Sequence, residues 1–168
     1  SEKEGIGVVS YYDDEFPEIL RHCMNEDGKE DPPVVLYYKG DWSVTQMPGL
    51  AVIGTREMIK EGESAGKYLA GEFAKRGFCI VSGLAIGCDT SGHRGALDAG
   101  GKTIAFLAHG LDTVYPPENT DLANEIVEKG GLLISEYPIG FPVSRYTLVA
   151  RDRLQAGMSL ATLVVHTG

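Results

Sequence analysis

Residues 78–108, "FCIVSGLAIGCDTSGHRGALDAGGKTIAFLA", decide the fold of this chain. A hydrophobic run at 78–81 leads into a glycine-rich turn and then into a helical stretch at 90–99. A Gly-Gly pair ends that stretch, and a second hydrophobic run follows at 103–108. Apolar runs without polar alternation, separated by a helix, are typical of parallel strands that are buried on both faces. The stretch therefore predicts a strand–helix–strand unit.

The rest of the chain repeats this alternation. In residues 60–76, Ala65, Leu69 and Phe73 recur at four-residue steps, and Gly77 is placed to end a helix. This pattern predicts an α/β protein with a doubly wound, mainly parallel, Rossmann-like sheet and a small N-terminal lead-in segment. The remaining predicted strands are 34–39, 50–53, 132–135 and 161–166, and the remaining predicted helices lie near 122–127 and 148–156.

Two parts are expected along the chain: a lead-in segment at 1–48 that packs on the main domain, and a Rossmann-like domain at 49–168. Pro32 and Pro33 fix an extended entry to the first apolar run, and the sequence pattern changes at Gly49. Residues 1–60 carry 12 acidic and 6 basic side chains. The lead-in is therefore expected to stay away from nucleic acid and either to pack on the sheet or to face a protein partner.

The composition is ordinary for a globular protein of 168 residues, with 43% hydrophobic and 23% charged residues. No apolar run approaches the roughly 20 residues of a membrane span, so no membrane association is expected. Cys23, Cys79 and Cys88 have neither metal-ligand nor redox spacing. Reduced thiols in a cytoplasmic protein, without a metal or cofactor, are the expectation.

The net charge of −9 argues against a protein that coats nucleic acid non-specifically. Residues 141–168 are the one segment with a positive balance, with three arginines against one aspartate. This distribution leaves room for a localised anion site and excludes a broad basic surface.

Two glycine-containing turns follow predicted neighbouring strands, and we expect them to form a phosphate cradle. Gly54 and Gly83 let backbone N–H groups approach an anion, Thr55 and Ser82 add hydroxyl donors, and Arg56 adds a planar guanidinium. For each glycine taken alone, a tight turn or close helix packing is the favoured explanation, whereas two such loops on neighbouring strands, one with an arginine, favour ligand binding. The G-x-G-x-x-G fingerprint and the P-loop lysine are both absent, which argues against NAD binding and ATP hydrolysis.

No catalytic constellation is convincing. Asp89 and His93 share a helix face and could form an acid–base pair, but a capping aspartate and a locally bonded histidine are the favoured interpretation. Ser82 lacks the surrounding elbow of a nucleophilic serine. Glu136 could meet a ribose or act as a cap, and Tyr115 could stack on a base.

With these residues assembled, the chain resembles the DprA/Smf family of DNA-processing proteins. The resemblance rests on the segments "FPEIL…DPPVVLYYKG", "VIGTR", "VSGLAIGCDTSGHRGAL", "GGKTIAFLAHGLDTVYPPEN" and "GGLLISEYPIG", and on the arginine pair in "VARDRLQAGMS".

The resemblance implies an extended Rossmann-like domain that binds single-stranded DNA and helps to load the recombinase RecA during transformation, with a homodimer as a further implication. By motif, it assigns DNA contacts to Gly54, Thr55, Arg56, Ser82, Gly83, Arg151 and Arg153, with Arg145 as a weaker candidate. Asp152 stands where the family usually has asparagine, and a carboxylate there would repel phosphate unless it pairs with a neighbouring arginine. The chain is also expected to be truncated at its C-terminus, which puts the RecA contact and dimerisation in more doubt than nucleic-acid binding.

Two alternatives stay open. One is an enzyme on free nucleotides related to LOG-type phosphoribohydrolases, although "GGLLISE" at 130–136 keeps only the double glycine and the glutamate of their signature. The other is a module that senses one mononucleotide.

Overall fold

A computed structural model describes residues 5–167 of the chain. It contains one seven-stranded sheet whose strand order is β1-β2-β6-β5-β4-β3-β7. The strands from β3 to β7 are parallel where they pair, and β1 and β2 add an antiparallel edge beyond β6. The strands are β1 Ile6–Ser10, β2 Val35–Gly40, β3 Gly49–Ile53, β4 Cys79–Ser82, β5 Thr103–Leu107, β6 Leu132–Ser135 and β7 Ala161–Val164.

Four helices cover the two faces of this sheet. They are α1 Lys60–Lys75, α2 Cys88–Asp98, α3 Thr120–Glu128 and α4 Arg145–Gly157. Alternate strand residues point to opposite sides, so Ile80 packs with α1 and α2 while Val81 packs with α4. Helices α1, α2 and α3 share one face, and α4 lies on the other. The predicted doubly wound, mainly parallel sheet is confirmed.

The sequence of connections creates a switch point between β3 and β7. From β3 the chain proceeds through β4, β5 and β6 in one direction, and it then returns by α4 to place β7 on the other side of β3. Ligands in open α/β sheets bind at the carboxyl ends of strands on either side of such a point. The fold thereby singles out the loops that follow β3 and β7.

The lead-in contributes two strands and part of a hydrophobic core. Strand β2 pairs with β6, and among the described strands β1 has β2 as its one neighbour. Behind them, a short 3-10 helix, Glu18–His22, brings Leu20 against Leu154 of α4. Strand β1 is absent from the sequence-based prediction because its five residues alternate only weakly in polarity. The division into parts at residue 48 stays a prediction.

No helix within residues 5–167 combines the length and the apolar character that a membrane span needs.

Helices α1 and α2 pack at a distance that requires small residues. A Cβ at Gly95 would collide with the backbone carbonyl oxygen of Lys67 and lie 3.0 Å from the Cβ of Ala70. A Cβ at Gly71 would similarly lie 3.1 Å from the Gly95 carbonyl oxygen. Both helix backbones are fixed by the sheet beneath them, so neither can retreat without disturbing the core.

We therefore expect Gly95→Ala to destabilise the protein by about 1–3 kcal/mol through overpacking. Gly62→Ala in α1 is the matched control, because a Cβ there meets nothing closer than 3.5 Å. That change should be neutral or stabilising by up to about 1 kcal/mol, since alanine is the better helix former. Urea unfolding of both variants measures the difference, and equal effects on stability would contradict this account of the helix contact.

Candidate functional site

A cavity of about 580 Å³ opens at the switch point. Its walls come from the end of β3 and the turn after it, from α4, and from the residues that follow β7. Arg56 of the turn and Arg151 of α4 both line it. The further lining residues are Ala51, Ile53, Gly54, Thr55, Ala85, Asp89, Asp152, Gln155, Ala156, Thr162, Val164, His166 and Thr167.

The turns after β3, β4 and β7 are tied together by their backbones. The Cys88 N–H donates to the Thr55 carbonyl at 3.2 Å, and the Thr55 N–H donates to the His166 carbonyl at 2.9 Å. Gly87 has a φ of +89°, and a Cβ there would lie 2.7 Å from the Arg56 carbonyl oxygen. Only glycine allows the two turns to approach this closely. The position of Arg56 is therefore set by the neighbouring strand as well as by its own.

Arg151 is the best-defined group of the cavity. The residue is 5% exposed, and its Nη1 donates to the carbonyls of Gly83 at 2.7 Å and Phe106 at 2.9 Å. Its Nε lies 3.3 Å from the Asp152 carboxylate. Within residues 5–167, the second terminal nitrogen, Nη2, has no hydrogen-bond partner. The guanidinium is thus held rigidly while keeping donor capacity on the cavity side.

Gly83 makes room for Arg151. A Cβ at this position would lie 2.6 Å from the guanidinium carbon and 2.5 Å from Nε2 of Gln155. The Gly83 N–H donates to the Asp89 carboxylate at 3.1 Å, as does the Ala85 N–H. These two amides are therefore committed to Asp89, and the role of Gly83 in the geometry is to seat the arginine rather than to bind an anion through its own N–H.

Asp89 lies buried beneath the loop after β4, where burial raises the pKa of its carboxyl. The Arg151 charge and the loop N–H donors oppose this shift. The aspartate thus organises the loop before α2. The favoured interpretation of Asp89 as a helix cap is wrong, because the N-cap position is Gly87 and no side chain caps it.

Ser82 is fully buried and donates to the Val52 carbonyl at 2.6 Å, which ties β4 to β3. It does not line the cavity. Thr55 lines the cavity, but its hydroxyl accepts from the Glu57 N–H at 3.1 Å. Gly54 lines it too, and a side chain there would collide with Sγ of Cys88. Ser82 is therefore structural, whereas the Thr55 hydroxyl only accepts and keeps its own proton available for donation into the cavity.

The second arginine of the predicted pair points elsewhere. The Arg153 side chain is 10% exposed and lies 2.9 Å from carboxylate oxygens of both Asp31 and Glu136. Burial lowers the pKa of Arg153, but the hydrogen bonds that it donates to Glu136 and the charges of both carboxylates outweigh burial and raise it. Arg153 fastens the lead-in to α4, and its geometry gives no support to the predicted phosphate contact. Arg145, the exposed first residue of α4, does not line the cavity either.

Sequence reasoning missed several cavity residues. Gln155 lies one helical turn beyond Arg151, so the spacing could have revealed it. His166 and Thr167 follow β7, and only the placement of β7 beside β3 brings them to the site. A smaller recess of about 80 Å³ adjoins Arg56 and Arg151 and is lined by Ile86 and Tyr115, among others.

The residues considered for acid–base chemistry do not meet. His93 is fully buried, and its Nδ1 lies 2.6 Å from the Thr103 hydroxyl, which itself donates to the Ile80 carbonyl. Burial, with the nearby arginine charges adding to it, lowers the pKa of His93 to about 3. Among residues 5–167, no three His, Cys, Asp or Glu side chains are grouped to hold a metal ion.

The fold and the cavity define a Rossmann-like α/β protein with an arginine-lined cavity at the switch point of its sheet. Residues 7–168 match the family described as DNA recombination-mediator protein A, and the chain belongs to that family.

Relatives agree with this assignment. Protein Smf of Synechocystis sp. is 40% identical over 158 residues, which is 92% of this chain and 38% of the relative. DNA processing protein DprA of Streptococcus pneumoniae is 39% identical over 151 residues, or 88% of this chain and 52% of the relative. This chain thus spans about four-tenths to one-half of the length of these relatives.

Two solved structures share the fold. The X-ray structure of S. pneumoniae DprA superimposes with a TM-score of 0.83 at 35% identity, covering 97% of this chain and 56% of that one. A structure of DprA from Helicobacter pylori, described for its single-stranded DNA binding mode, superimposes with a TM-score of 0.82 at 31% identity. It covers 95% of this chain and 68% of the H. pylori chain.

The buried, neutral His93 should make stability depend on pH. Because its pKa in the folded protein lies below the ordinary value of 6.5, its contribution is complete above that value and is lost as the pH falls. Lowering the pH from about 7 to about 5 should cost about 2 kcal/mol, since the unfolded chain takes up a proton that the folded protein excludes. Urea unfolding at the two pH values measures this loss.

His93→Asn keeps a donor toward Thr103 and should remove most of the loss of stability between the two pH values. The part that remains comes from His109, because burial lowers its pKa as well. The exposed His22 provides the control, because His22→Asn should leave the loss in place. Identical pH profiles for His93→Asn and the wild type would show that His93 does not exclude the proton.

Proposed function

We propose that this chain binds single-stranded DNA by holding the phosphate backbone in the cavity between β3, β7 and α4. The observation that carries the proposal is the convergence of Arg56 and Arg151 on one cavity, in a chain whose net charge is −9. Positive groups concentrated at a concave site in an otherwise acidic protein favour a localised anion over a long basic track.

The two arginines have complementary roles in this proposal. Arg151 is pre-organised by carbonyl contacts, so it loses little side-chain freedom when phosphate binds. The Arg56 side chain is exposed and can adjust its conformation to the bound DNA strand. Tyr115 and Ile86, which are 42% and 48% exposed, line the adjoining recess and offer an apolar surface for an unstacked base. Bases are accessible for such stacking in a single strand rather than in a duplex.

Relatedness supports the same function. The H. pylori relative binds single-stranded DNA according to the description of its structure, and the S. pneumoniae relative is a DNA processing protein. We infer that this protein acts in DNA recombination or transformation. Loading of a RecA-type recombinase and homodimerisation remain proposals that rest on the resemblance alone. A cytoplasmic location remains a proposal that rests on the three free cysteines.

We further propose that binding occurs without catalysis. Asp89 is committed to two loop amides, His93 to Thr103, and Glu136 to Arg153. A general base must reach a substrate proton, and of these three groups only Asp89 lines the cavity, where its Oδ2 already accepts from two loop amides and neither His93 nor Glu136 is beside it as an acid–base partner. The phosphoribohydrolase alternative gains no support, because the Glu136 carboxylate on which it depends is held by a buried guanidinium.

Replacing Arg56 by alanine should weaken binding to an oligothymidylate about tenfold at low salt, because a phosphate contact is lost. The slope of log affinity against log salt should fall by about 0.7 for the loss of one such contact. Fluorescence anisotropy over a salt series measures both quantities.

Arg76→Ala is the charge-matched control, because Arg76 lies beyond α1 and pairs with Glu72 in solvent. It should leave affinity and slope nearly unchanged. Equal losses in the two variants would mean that net charge alone drives binding. Displacement of the oligonucleotide by a mononucleotide at equal phosphate concentration would instead favour a mononucleotide sensor.

Asp152→Asn should have the opposite effect to Arg56→Ala. The Asp152 carboxylate lines the cavity and lies 3.3 Å from Nε of Arg151, where it competes with a phosphate for the guanidinium. We expect affinity to rise about two- to fivefold at low salt and the gain to shrink as salt increases. Glu128→Gln on α3 makes the same charge change on an exposed residue of the opposite face, and an equal gain there would contradict the local effect.

A further inference from the structure

A second concave surface lies on the other side of the same helix. It is a groove of about 480 Å³ between the N-terminal half of α4 and the loop at 24–31 of the lead-in. We call it the lead-in groove. Its lining residues are Met24, Asn25, Glu26, Asp27, Asp31, Tyr146, Val149, Ala150, Asp152 and Arg153.

The floor of the lead-in groove presents apolar side chains to solvent. Tyr146, Val149 and Met24 are 79%, 50% and 52% exposed. Tyr146, Val149 and Ala150 follow the three- and four-residue spacing of one helix face, so they form a continuous stripe. An apolar stripe inside a groove is characteristic of a surface that is covered by a partner.

The rim of the groove is acidic. Glu26, Asp27, Asp31 and Asp152 line it against one cation, Arg153. The positive charge of Arg153 is already balanced, because Asp31 and Glu136 both bind its guanidinium. Lys29 belongs to the same loop but does not line the groove. This charge pattern repels a nucleic-acid backbone and complements lysine and arginine side chains.

The groove is also built to keep its shape. The Asn25 side-chain oxygen accepts from the N–H groups of Asp27 and Lys29 at 3.0 Å each, and the Asp31 N–H donates to the Cys23 carbonyl at 2.7 Å. On the other wall, Ser144 and Thr147 form a capping box that fixes the start of α4. Because the groove is already formed, little binding free energy is lost to ordering it when a partner binds.

We propose that the lead-in groove is a docking site for a segment of a partner protein that carries apolar side chains flanked by lysine or arginine. The apolar side chains would cover Tyr146, Val149 and Met24, and the basic ones would pair with the rim carboxylates. Asp152 lines both this groove and the arginine-lined cavity, so the partner would sit directly beside that cavity. The proposal does not depend on what the cavity binds.

A fluorescein-labelled peptide of alternating lysine and leucine serves as the probe, with an all-lysine peptide of equal charge as its comparison. At salt on the order of 0.15 M, where long-range attraction is screened, anisotropy should show the lysine–leucine peptide binding at least several-fold more tightly. Equal affinities for the two peptides would overturn the proposal, because the acidic net charge alone would then explain binding.

Val149→Asp separates docking from non-specific attraction. The substitution removes an apolar contact and adds a negative charge, so non-specific attraction would tighten while docking in the groove should weaken roughly tenfold. Tyr68→Asp on α1 replaces a residue that is 67% exposed and makes the same charge change far from the groove, and it should not weaken binding. Similar affinities for the two variants would overturn the proposal.

Two-dimensional ¹H–¹³C NMR spectra provide the second measurement. Methyl resonances of Met24 and Val149 should shift on titration with the lysine–leucine peptide, whereas those of Val8, which is 54% exposed on β1, should not. A wild-type dimer that Val149→Asp converts to a monomer would assign the groove to a second copy of the chain. If Val149→Asp weakened the binding of an oligonucleotide and left peptide binding intact, the groove would be assigned to nucleic acid. Either result would replace the proposal.

Discussion

The hydrogen bonds from Arg151 to the carbonyls of Gly83 and Phe106 are the constraint on which the site depends. They join α4 to the ends of β4 and β5, and they leave one face of a buried guanidinium toward the cavity. A charged group in this position is tolerated only because carbonyl dipoles and the Asp89 carboxylate surround it. The glycine at 83 follows from the same constraint, since any side chain there would collide with the guanidinium.

Asp89 completes this arrangement from below. By accepting from the amides of Gly83 and Ala85, it fixes the loop whose carbonyl then receives Arg151. Two amides of the glycine-rich stretch that resembles an anion cradle therefore donate to the stretch's own aspartate. In the function that we propose, the anion is bound by the guanidinium groups that this loop helps to position. Glycine-rich turns at strand ends can thus serve a binding site indirectly, by allowing a close approach of neighbouring segments.

Helix α4 separates two surfaces of opposite character. On one side Arg151 faces a cavity that it shares with Arg56, and on the other Arg153 is neutralised beneath an acidic groove. Each residue of an α-helix turns the side-chain direction by about 100°. Arg151 and Arg153 are two residues apart, so they point to different faces of α4. The acidic excess of the lead-in is consistent with this division, because the lead-in borders the groove and not the cavity.

The sequence by itself determined the α/β class and nearly all of the strands and helices. Apolar runs that end in glycine, and helical stretches with four-residue periodicity, report local burial, and local burial is what the pattern encodes. The sequence also pointed to Arg56 through its position after a strand, and to Arg151 through the family resemblance. Only the tertiary structure decided which donors face the cavity, because that depends on partners far apart in the chain. Ser82 is turned toward Val52, Arg153 is held by Asp31 and Glu136, and His166 reaches the site through the pairing of β7 with β3. Hydrogen-bond partners and strand pairing between segments far apart in the chain are set by tertiary contacts, and these contacts leave no periodic signal in the sequence.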